Sequence, residues 1–343
     1  MRHLAAIDLF CGVGGLMYGL RQVGIQVLVG VDIDPSCRYP VERNNKGTRF
    51  IQRSICELPG SEVASWYPSG SIRVLVGCAP CQPFSKYAVR EGIDERWRLL
   101  YQFLRIVQEV KPDVVSMENV PQLAALEHPA YSDFVTALTQ MDYAVWAQIV
   151  RCSAYGVPQT RERLVLLAGA NNRPIHLIPP TRNKPPTVRD TIARLPKLEA
   201  DGQSHHSDKL HVASRLSELN LKRIRSTPEG GGWKDWPESL RLACHKRKSG
   251  RYYGSVYGRM AWDELAPTIT TQCFGYGNGR FGHPDQDRAI SLREAAMLQT
   301  FPRKYKFTPP SVTPTFKNIG RLIGNAVPVA LGRAIGKSIK LSF

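Results

Sequence analysis

The chain has 343 residues, 43% hydrophobic and 22% charged, and no apolar run nears the roughly 20 residues of a membrane helix. This length and composition exclude a small disulfide-dependent domain and predict no membrane association. Eight cysteines without a secretion signal predict reduced thiols and a cytoplasmic protein. The 46 basic residues exceed the 29 acidic ones by 17, which favours a polyanionic partner such as nucleic acid.

Short apolar runs and helix-like stretches alternate from the N-terminus to about residue 170. Helices are predicted near 16–22, 35–44, 97–110 and 131–140. The predicted strands are Leu4–Phe10, Val27–Val31, Arg73–Gly77, Asp113–Met117, Ala144–Val150 and Arg163–Ala168. These runs are nearly continuous and β-branched, as in strands covered on both faces. The alternation predicts an α/β fold with a doubly wound, Rossmann-like sheet.

The amino-acid composition changes near residue 181, where prolines cluster and basic residues become frequent. Residues 181–260 hold 17 Lys/Arg against 8 Asp/Glu, and residues 245–285 are rich in Gly, Tyr and Arg. We predict a second, smaller irregular domain over 182–303. The apolar helical rhythm of Ile319–Ile339 predicts a return to the first domain, which would comprise 1–181 completed by 304–343.

A glycine-rich turn, Asp8–Gly15, follows the first predicted strand and opens a helix. Glycines at such a turn allow close approach of the backbone to a ligand. Asp32 ends the next strand, 20 residues after Gly12, where an acidic group can accept hydrogen bonds from ribose hydroxyls. The pattern favours a nucleoside-type cofactor, and the alternative is an ordinary strand–helix turn with a solvated Asp32.

Cys81 lies just beyond the strand Arg73–Gly77, at the edge where open α/β sheets bind ligands. Pro80 and Pro83 are expected to stiffen its turn. Cys78 and Cys81 also form a C-x-x-C pair, which could belong to a zinc or redox site, and a plain structural cysteine is a further alternative. No second such pair is present, so no metal is predicted.

Three charged residues mark two other strand ends. Glu118 follows Met117 after an apolar run, and Arg161 and Arg163 are alternate residues that would point the same way. A buried carboxylate needs a partner, so Glu118 either pairs with an arginine at the surface or faces the crevice of Cys81. A thiol, a carboxylate and two guanidiniums would form a plausible polar site.

Six segments together resemble the cytosine carbon-5 DNA methyltransferases of bacterial restriction–modification systems. They occur in the family's order and span residues 8–327. The segments are Asp8–Gly15, Pro80–Gln82, Glu118–Val120, Gln159–Arg163, Arg293–Pro302 and Gly324–Val327. Each alone is weak or moderate evidence, whereas six in this order are highly specific.

The resemblance implies methyl transfer from S-adenosylmethionine to carbon 5 of cytosine. Cys81 would attack carbon 6 as a thiolate and make carbon 5 nucleophilic. Glu118, in its protonated form, would hydrogen-bond ring nitrogen 3, and Arg163 would hold the base's oxygen. Arg161 would support Glu118 or the neighbouring loop.

The resemblance also implies the cofactor contacts. Phe10 and Ile33 would flank the adenine, and Asp32 would hold the ribose. The full set is Phe10, Gly12, Gly14, Asp32, Ile33, Ser54, Ile55, Pro80, Leu99, Asn325 and Val327. Ser54 departs from the pattern, because the family usually has an Asp there to read the adenine amino group. Ile33 replaces a commonly aromatic neighbour.

The target base must leave the duplex to reach such a site. Residues 84–98 are predicted to form a lid, and the basic small domain to contact DNA. The candidate DNA-binding residues are Ser85, Lys86, Arg96, His245, Arg247, Arg251, Tyr253 and Arg280. Double-stranded DNA is the expected partner of a monomeric enzyme, and a cognate restriction endonuclease is a candidate second partner.

Three alternatives stay open at this point. An RNA (tRNA) cytosine-5 methyltransferase would share the scaffold and chemistry, although a sizeable basic domain favours duplex DNA. A nicotinamide oxidoreductase would account for the glycine turn and Asp32, but not for Cys81 or Glu118. A DNA-binding regulator without catalysis would have no need of intact Cys81, Glu118 and Arg163.

Overall fold

The computed structural model describes residues 3–80, 97–125, 129–180, 184–247 and 254–343. Nine strands occur within these residues: β1 Leu4–Leu9, β2 Gln26–Asp32, β3 Arg49–Gln52, β4 Ile72–Gly77, β5 Val114–Asn119, β6 Ala144–Arg151, β7 Glu162–Gly169, β8 Ser204–His205 and β9 Asp208–Val212. The first seven form one sheet in the order β3-β2-β1-β4-β5-β7-β6. β1 to β5 are parallel, and β7 runs antiparallel to both β5 and β6.

The described α-helices alternate with the strands in the N-terminal half and continue to the C-terminus. They are α1 Gly15–Gln22, α2 Arg38–Asn44, α3 Gly60–Ser65, α4 Arg98–Val110, α5 Gln122–Ala125, α6 Pro129–Gln140, α7 Val188–Ile192, α8 Glu218–Arg225, α9 Ala243–Lys246, α10 Leu292–Leu298, α11 Phe316–Asn325 and α12 Val329–Leu341. Among the described residues, none of these helices combines the length and apolarity needed to cross a bilayer.

The predicted fold class is confirmed, with a Rossmann-like central sheet. Every residue of β5 is buried, as expected for a central strand covered on both faces. The sequence analysis missed β3, because it has four residues and only Phe50 among them is buried. β5 also extends two residues beyond the predicted strand, so Glu118 and Asn119 are part of the sheet rather than of a following loop.

The chain divides into two compact units. The sheet unit comprises Met1–Tyr155, Glu162–Thr181 and Ala326–Phe343, and the irregular unit comprises Gly156–Arg161 and Arg182–Asn325. The return to the sheet unit therefore comes later than the residue 304 that we predicted. α10 and α11 pack on each other within the irregular unit, and this contact is why the boundary moves.

Pro328 divides the predicted helical stretch Ile319–Ile339 into two helices, because proline cannot continue the hydrogen bonding of α11. The second of them, α12, packs closely on α1. A Cβ atom added to Gly19 of α1 would lie 2.5 Å from the Val329 carbonyl oxygen. Glycine at this position thus lets the two helix backbones approach each other.

The irregular unit contains little β-sheet. Within the described residues, its sheet consists of the two strands β8 and β9. An aromatic cluster takes the place of a sheet core. The cluster contains Trp233, Trp236, Tyr257 and Tyr276, and the Trp236 and Tyr276 rings each lie 5.3 Å from the Tyr257 ring. The hydroxyl of Thr227 meets both the indole N–H of Trp236 at 2.7 Å and the Tyr276 hydroxyl at 2.9 Å.

Candidate active site

The turn after β1 is held open by residues in the left-handed region. Phe10, Gly12 and Gly14 have φ angles of 59°, 51° and 83°. At Gly14 the angle favours glycine, and a Cβ would also press on the Met17 side chain at 3.1 Å. At Gly12 nothing lies within 4 Å of the Cβ position, so this turn presents open space beside its backbone.

Asp8 is the buried carboxylate beneath this turn. It is 1% exposed, and its Oδ2 has no hydrogen-bond partner among the described residues. Burial raises the pKa of Asp8 well above its usual range, and the neighbouring charge of Asp32 raises it further. An acceptor that is buried and unbonded within the protein fits a hydrogen-bond donor or a cation supplied by a ligand.

Asp32 ends β2 and braces the glycine turn. Its Oδ2 accepts a hydrogen bond from the Gly12 N–H at 2.9 Å, and its Oδ1 accepts one from the Asp34 N–H at 3.0 Å. Burial raises the pKa of Asp32, while these backbone donors oppose the shift. Each carboxylate oxygen has two lone pairs, so Asp32 retains capacity for the ribose hydroxyls that we predicted it to bind.

Two further predicted cofactor residues flank this region. Ile33 follows Asp32 and is 69% exposed, which is unusual for a large apolar side chain and leaves a surface for a flat ring. Ser54 begins a short 3-10 helix, and its hydroxyl accepts a hydrogen bond from the Cys56 N–H at 3.3 Å. Arg105 fixes the same turn by donating to the carbonyl oxygens of Ile55 and Leu58 at 2.8 and 3.0 Å.

The turn after β4 is tied to the strands on either side. The Cys78 N–H donates to the Leu9 carbonyl oxygen at 3.3 Å, and the Asn119 side-chain amide donates to the Ala79 carbonyl oxygen at 3.2 Å. These bonds position the chain up to Pro80, which is half-buried. The sequence analysis did not assign Asn119 a role, although a polar residue at the end of a buried strand requires such partners.

Cys78 is a half-buried residue whose thiol lies beside the carboxylate of Glu118. The parallel register that pairs Gly77 with Met117 brings the two residues that follow them together, and the thiol donates a hydrogen bond to Glu118. Burial raises the pKa of the Cys78 thiol well above its usual range, and the charges of Glu118 and Asp8 add to the shift. Cys78 is therefore a neutral donor at physiological pH.

Glu118 pairs with Arg163, the neighbouring cation on β7. Glu118 is 7% exposed, and its Oε1 lies 3.0 Å from the Arg163 Nε. The approach is off the axis of the N–H bond, so Oε1 gains an ion pair without a hydrogen bond. The structure thus brings together two of the predicted catalytic residues at the end of the central strands.

Arg161 belongs to the irregular unit, although we expected it to share one polar site with Arg163. Its guanidinium is buried and donates to the carbonyl oxygens of Ile269 and Gly324 at 3.0 and 3.2 Å. Gln159 beside it donates to the Leu298 carbonyl oxygen at 2.7 Å. The boundary between the two units falls after Arg161, so Arg161 and Arg163 belong to different units.

The other predicted cofactor residues lie at element ends. Leu99 is half-buried in the first turn of α4, Asn325 is the exposed last residue of α11, and Val327 is buried before α12. The nucleophile Cys81 and the candidate DNA-binding residues Ser85, Lys86, Arg96, Arg251 and Tyr253 lie outside the described residues.

Three candidate DNA-binding residues fall in the described part of the irregular unit. Arg247 is exposed. His245 is buried against Trp233, with ring centroids 4.2 Å apart, and burial lowers its pKa. Arg280 donates to the carbonyl oxygens of Gly230 and, at 2.8 Å, Gly231. The structure thus gives His245 and Arg280 packing and bracing roles that the sequence analysis did not anticipate, because a local charge run does not reveal tertiary burial.

The family model of the C-5 cytosine-specific DNA methylases matches residues 4–341. The chain belongs to this family. The Type II methylase M.HgiDII of Herpetosiphon aurantiacus is 54% identical over 339 residues, covering 98% of this chain and 95% of that protein. The Type II methyltransferase M.Eco47II of Escherichia coli is 29% identical over 344 residues, covering 97% and 78%.

The fold of this cytosine-5 methylase also matches solved structures. A candidate DNA modification methyltransferase encoded within an E. coli prophage superposes with a TM-score of 0.77, covering 98% of this chain and 99% of that one at 23% identity. The family that the six segments indicated is therefore confirmed, and the protein is a cytosine carbon-5 DNA methyltransferase.

Methyltransferases of this family generally use S-adenosylmethionine, and the residues beside β1 and β2 fit such a group. The glycine turn is open at Gly12, a flat apolar surface is exposed at Ile33, and acceptors are available at Asp8 and Asp32. A nucleoside with a positively charged tail requires this combination of an apolar wall and carboxylates.

Proposed function

We propose that this methylase acts on a flipped-out cytosine within a specific duplex sequence, through a covalent bond between Cys81 and carbon 6. The observation that carries the proposal is the buried Glu118–Arg163 pair, with Oε1 and Nε 3.0 Å apart, at the edge of the sheet where β4, the strand before the Cys81 turn, also ends. A carboxyl beside a guanidinium offers a cytosine one group for ring nitrogen 3 and one for its carbonyl oxygen.

The chemistry assigned to this chain's residues balances as follows. The Cys81 thiolate adds to carbon 6, and a hydrogen bond from Glu118 to nitrogen 3 stabilises the charge that enters the ring. Carbon 5 then carries electron density and can accept a methyl group. Loss of the carbon-5 proton to a base expels Cys81 as a thiolate and restores the aromatic ring.

S-adenosylmethionine would supply the activated methyl group when bound. We assign its ribose to Asp32 and its adenine to Phe10, Ile33 and the turn at Ser54 and Ile55. Gly12 and Gly14 would line its methionine end, together with Asn325 and Val327. Pro80 and Leu99 complete the proposed set.

We infer further that the enzyme is the modification component of a Type II restriction–modification system. The inference is supported by its 54%-identical relative, which is named a Type II methylase. Double-stranded DNA is the proposed substrate, contacted through Arg247 and by Ser85, Lys86, Arg96, Arg251 and Tyr253. A cognate restriction endonuclease would recognise the same sequence, and the methylase itself would act as a monomer.

The test begins with bisulfite sequencing of DNA from cells that express the protein, which identifies the methylated sequence. Duplexes carrying 5-fluorocytosine at that position, incubated with S-adenosylmethionine, should then become covalently attached to the wild-type enzyme, because after methyl transfer the fluorine at carbon 5 cannot leave as a proton. Cys81→Ser should form no adduct, whereas Cys56→Ser, which changes an exposed cysteine, should behave as wild type. An adduct mapped by mass spectrometry to another residue, or methylation of tRNA in place of DNA, would refute the proposal.

A further inference from the structure

The net charge of the methylase resides in two segments. Residues 181–260 hold 17 Lys/Arg against 8 Asp/Glu, and residues 295–343 hold 8 Lys/Arg and no Asp/Glu. These two segments account for the whole net charge of +17. The first belongs to the region where we predicted DNA contacts, whereas the second has no assigned partner.

Part of the positive charge of residues 295–343 lies in the connection between α10 and α11. Its segment Pro302–Thr308, which we call the basic loop, alternates buried aromatic with exposed basic side chains. Tyr305 and Phe307 are buried with Phe301, and the three rings lie between 4.6 and 5.2 Å apart. Arg303, Lys304 and Lys306 are exposed. The aromatic anchors thus hold the backbone while the cations face solvent.

Arg293 of α10 fixes the basic loop to β9. It donates to the Tyr305 carbonyl oxygen at 3.1 Å and forms a two-point ion pair with Asp208, at 2.6 and 3.1 Å. The carboxylate of Asp208 is therefore already engaged by a buried arginine. Lys209, the next residue of β9, is exposed and donates to the Pro310 carbonyl oxygen at 2.8 Å, which adds a further cation near the loop.

We propose that the basic loop is a contact surface for the phosphate backbone of duplex DNA, with Arg303 and Lys304 as its phosphate-binding side chains. This inference rests on the proposed action on duplex DNA, and it adds a surface outside the residues assigned to that action. Several exposed cations on a braced backbone suit a polyanion, because little conformational entropy is lost when a braced segment binds.

Such a surface acts without regard to sequence, so it can be tested with any duplex. We would measure the anisotropy of a fluorescein-labelled 30-base-pair duplex of arbitrary sequence, with wild type and with Arg303→Ala/Lys304→Ala, at KCl concentrations between about 50 and 200 mM. Each lost phosphate contact should reduce the slope of log K against log salt by about 0.9. The double variant should therefore lose between about 1 and 2 in slope and bind roughly 10-fold more weakly.

The matched control is Arg333→Ala/Lys337→Ala, which removes the same charge from exposed positions of α12. It should retain the wild-type slope. Equal slopes for wild type and the loop variant, or equal losses in both variants, would overturn the inference. A loss of binding to a tRNA probe alone would also overturn it, because the partner would then be RNA.

Failure of the proposed function has a different signature, because wild type itself would then bind duplex DNA with a flat salt response and methylate none. Methyl transfer to plasmid DNA at low salt should persist in the loop variant. Urea unfolding of each variant checks that the fold is retained.

Discussion

The sheet unit and the irregular unit differ in how completely their buried polar side chains are hydrogen-bonded. In the irregular unit, the Glu294 carboxylate accepts hydrogen bonds from Arg288 at 2.7 and 2.8 Å and from the Ser291 N–H at 2.7 Å. In the described part of the chain, the buried side-chain oxygens without a hydrogen bond all lie in the sheet unit. They belong to Asp8, Asn45, Ser116 and Glu118.

The difference follows from how each unit satisfies its backbone. The strands of the sheet unit pair their own N–H and C=O groups, so a few side chains can be left unsatisfied at modest cost to the whole. The irregular unit lacks such ladders, and arginines bond its carbonyl oxygens. Arg259 alone donates to the carbonyls of Ile224, Thr227, His283 and Gln286. Buried polar side chains thus satisfy backbone carbonyls in the irregular unit, whereas several acceptors in the sheet unit have no hydrogen bond within the described residues.

The largest expected effect concerns the unsatisfied carboxyl of Glu118. Glu118→Gln keeps the shape of the side chain but removes the carboxylate that pairs with Arg163. We expect methyl transfer to fall about 10²- to 10⁴-fold, as for loss of a general acid or an electrostatic partner. Initial rates of tritiated methyl transfer to duplex DNA measure this loss.

The matched control for this change is Glu162→Gln on β7, the strand that carries Arg163. Glu162 lies at the surface, where its Oε1 is 3.5 Å from the Nε of an 83% exposed Arg151. It should retain the wild-type rate, because an exposed ion pair contributes little. A Glu118→Gln enzyme with unchanged turnover would contradict the idea that the sheet unit keeps this carboxyl available for substrate.

The next effect concerns the buried, hydrogen-bonded carboxylate of Glu294 in the irregular unit. Arg288→Met would leave the Glu294 carboxylate buried without its cation and should lower the free energy of unfolding by about 3–5 kcal/mol. Urea titration measures the change. Arg189→Met is the control, because Arg189 and Asp263 form an exposed pair at 2.7 Å, and its loss should cost no more than about 1 kcal/mol.

The same pair makes stability depend on pH. Burial raises the pKa of Glu294, but the charge and hydrogen bonds of Arg288 outweigh it and lower the pKa to about 2. The contribution of this group is therefore present above the ordinary value of 4.5 and is lost as pH falls towards 2. If Arg288→Met and wild type lost stability in parallel over this window, the pair would not be the source.

Much of the sheet unit could be predicted from the sequence because its strands are buried on both faces. A run such as Val74–Val76 in β4 is apolar throughout, and this pattern needs no tertiary information. β3 was missed because an edge strand of four residues has no such run. The irregular unit could be placed only by composition, since its core joins residues far apart in sequence.

Site residues that lie at the ends of strands could be predicted from the sequence. Residues whose role depends on burial could not. Glu118 and Arg163 meet because neighbouring strands of one sheet end together. His245 looked like part of an exposed basic run, yet it stacks on Trp233 at 4.2 Å. A single sequence does not show which polar side chains lose solvent, because this depends on contacts with distant residues.

A smaller effect probes the helix contact that supports the glycine turn. Gly19→Ala would force a methyl group to within 2.5 Å of the Val329 carbonyl oxygen, so α1 and α12 would have to separate. We expect a loss of about 1–3 kcal/mol in unfolding free energy, as for overpacking in a core. Thermal unfolding measures it, and Lys337→Ala on the exposed face of α12 should have little effect. Equal melting temperatures of Gly19→Ala and wild type would show that the helices can move apart freely.

The smallest effect is a pH dependence that originates at Asp8. The pKa of this carboxyl is raised by burial and by Asp32, so the folded state takes up a proton at a higher pH than the unfolded chain. Stability from this group must then rise as pH falls from the raised value towards the ordinary 3.8. Asp8→Asn removes the titration, so its stability relative to wild type should be greatest near neutral pH and decline on acidification.

Urea midpoints of wild type and Asp8→Asn at several pH values between about 4 and 8 measure this difference, and equilibrium binding of S-adenosylmethionine provides the functional readout. The variant should bind the cofactor more weakly while gaining stability relative to wild type as pH rises. A difference in stability that does not change with pH would mean that burial does not raise the pKa of the Asp8 carboxyl. The contrast between a unit that leaves acceptors unmet and one that satisfies them would then rest on Asn45, Ser116 and Glu118.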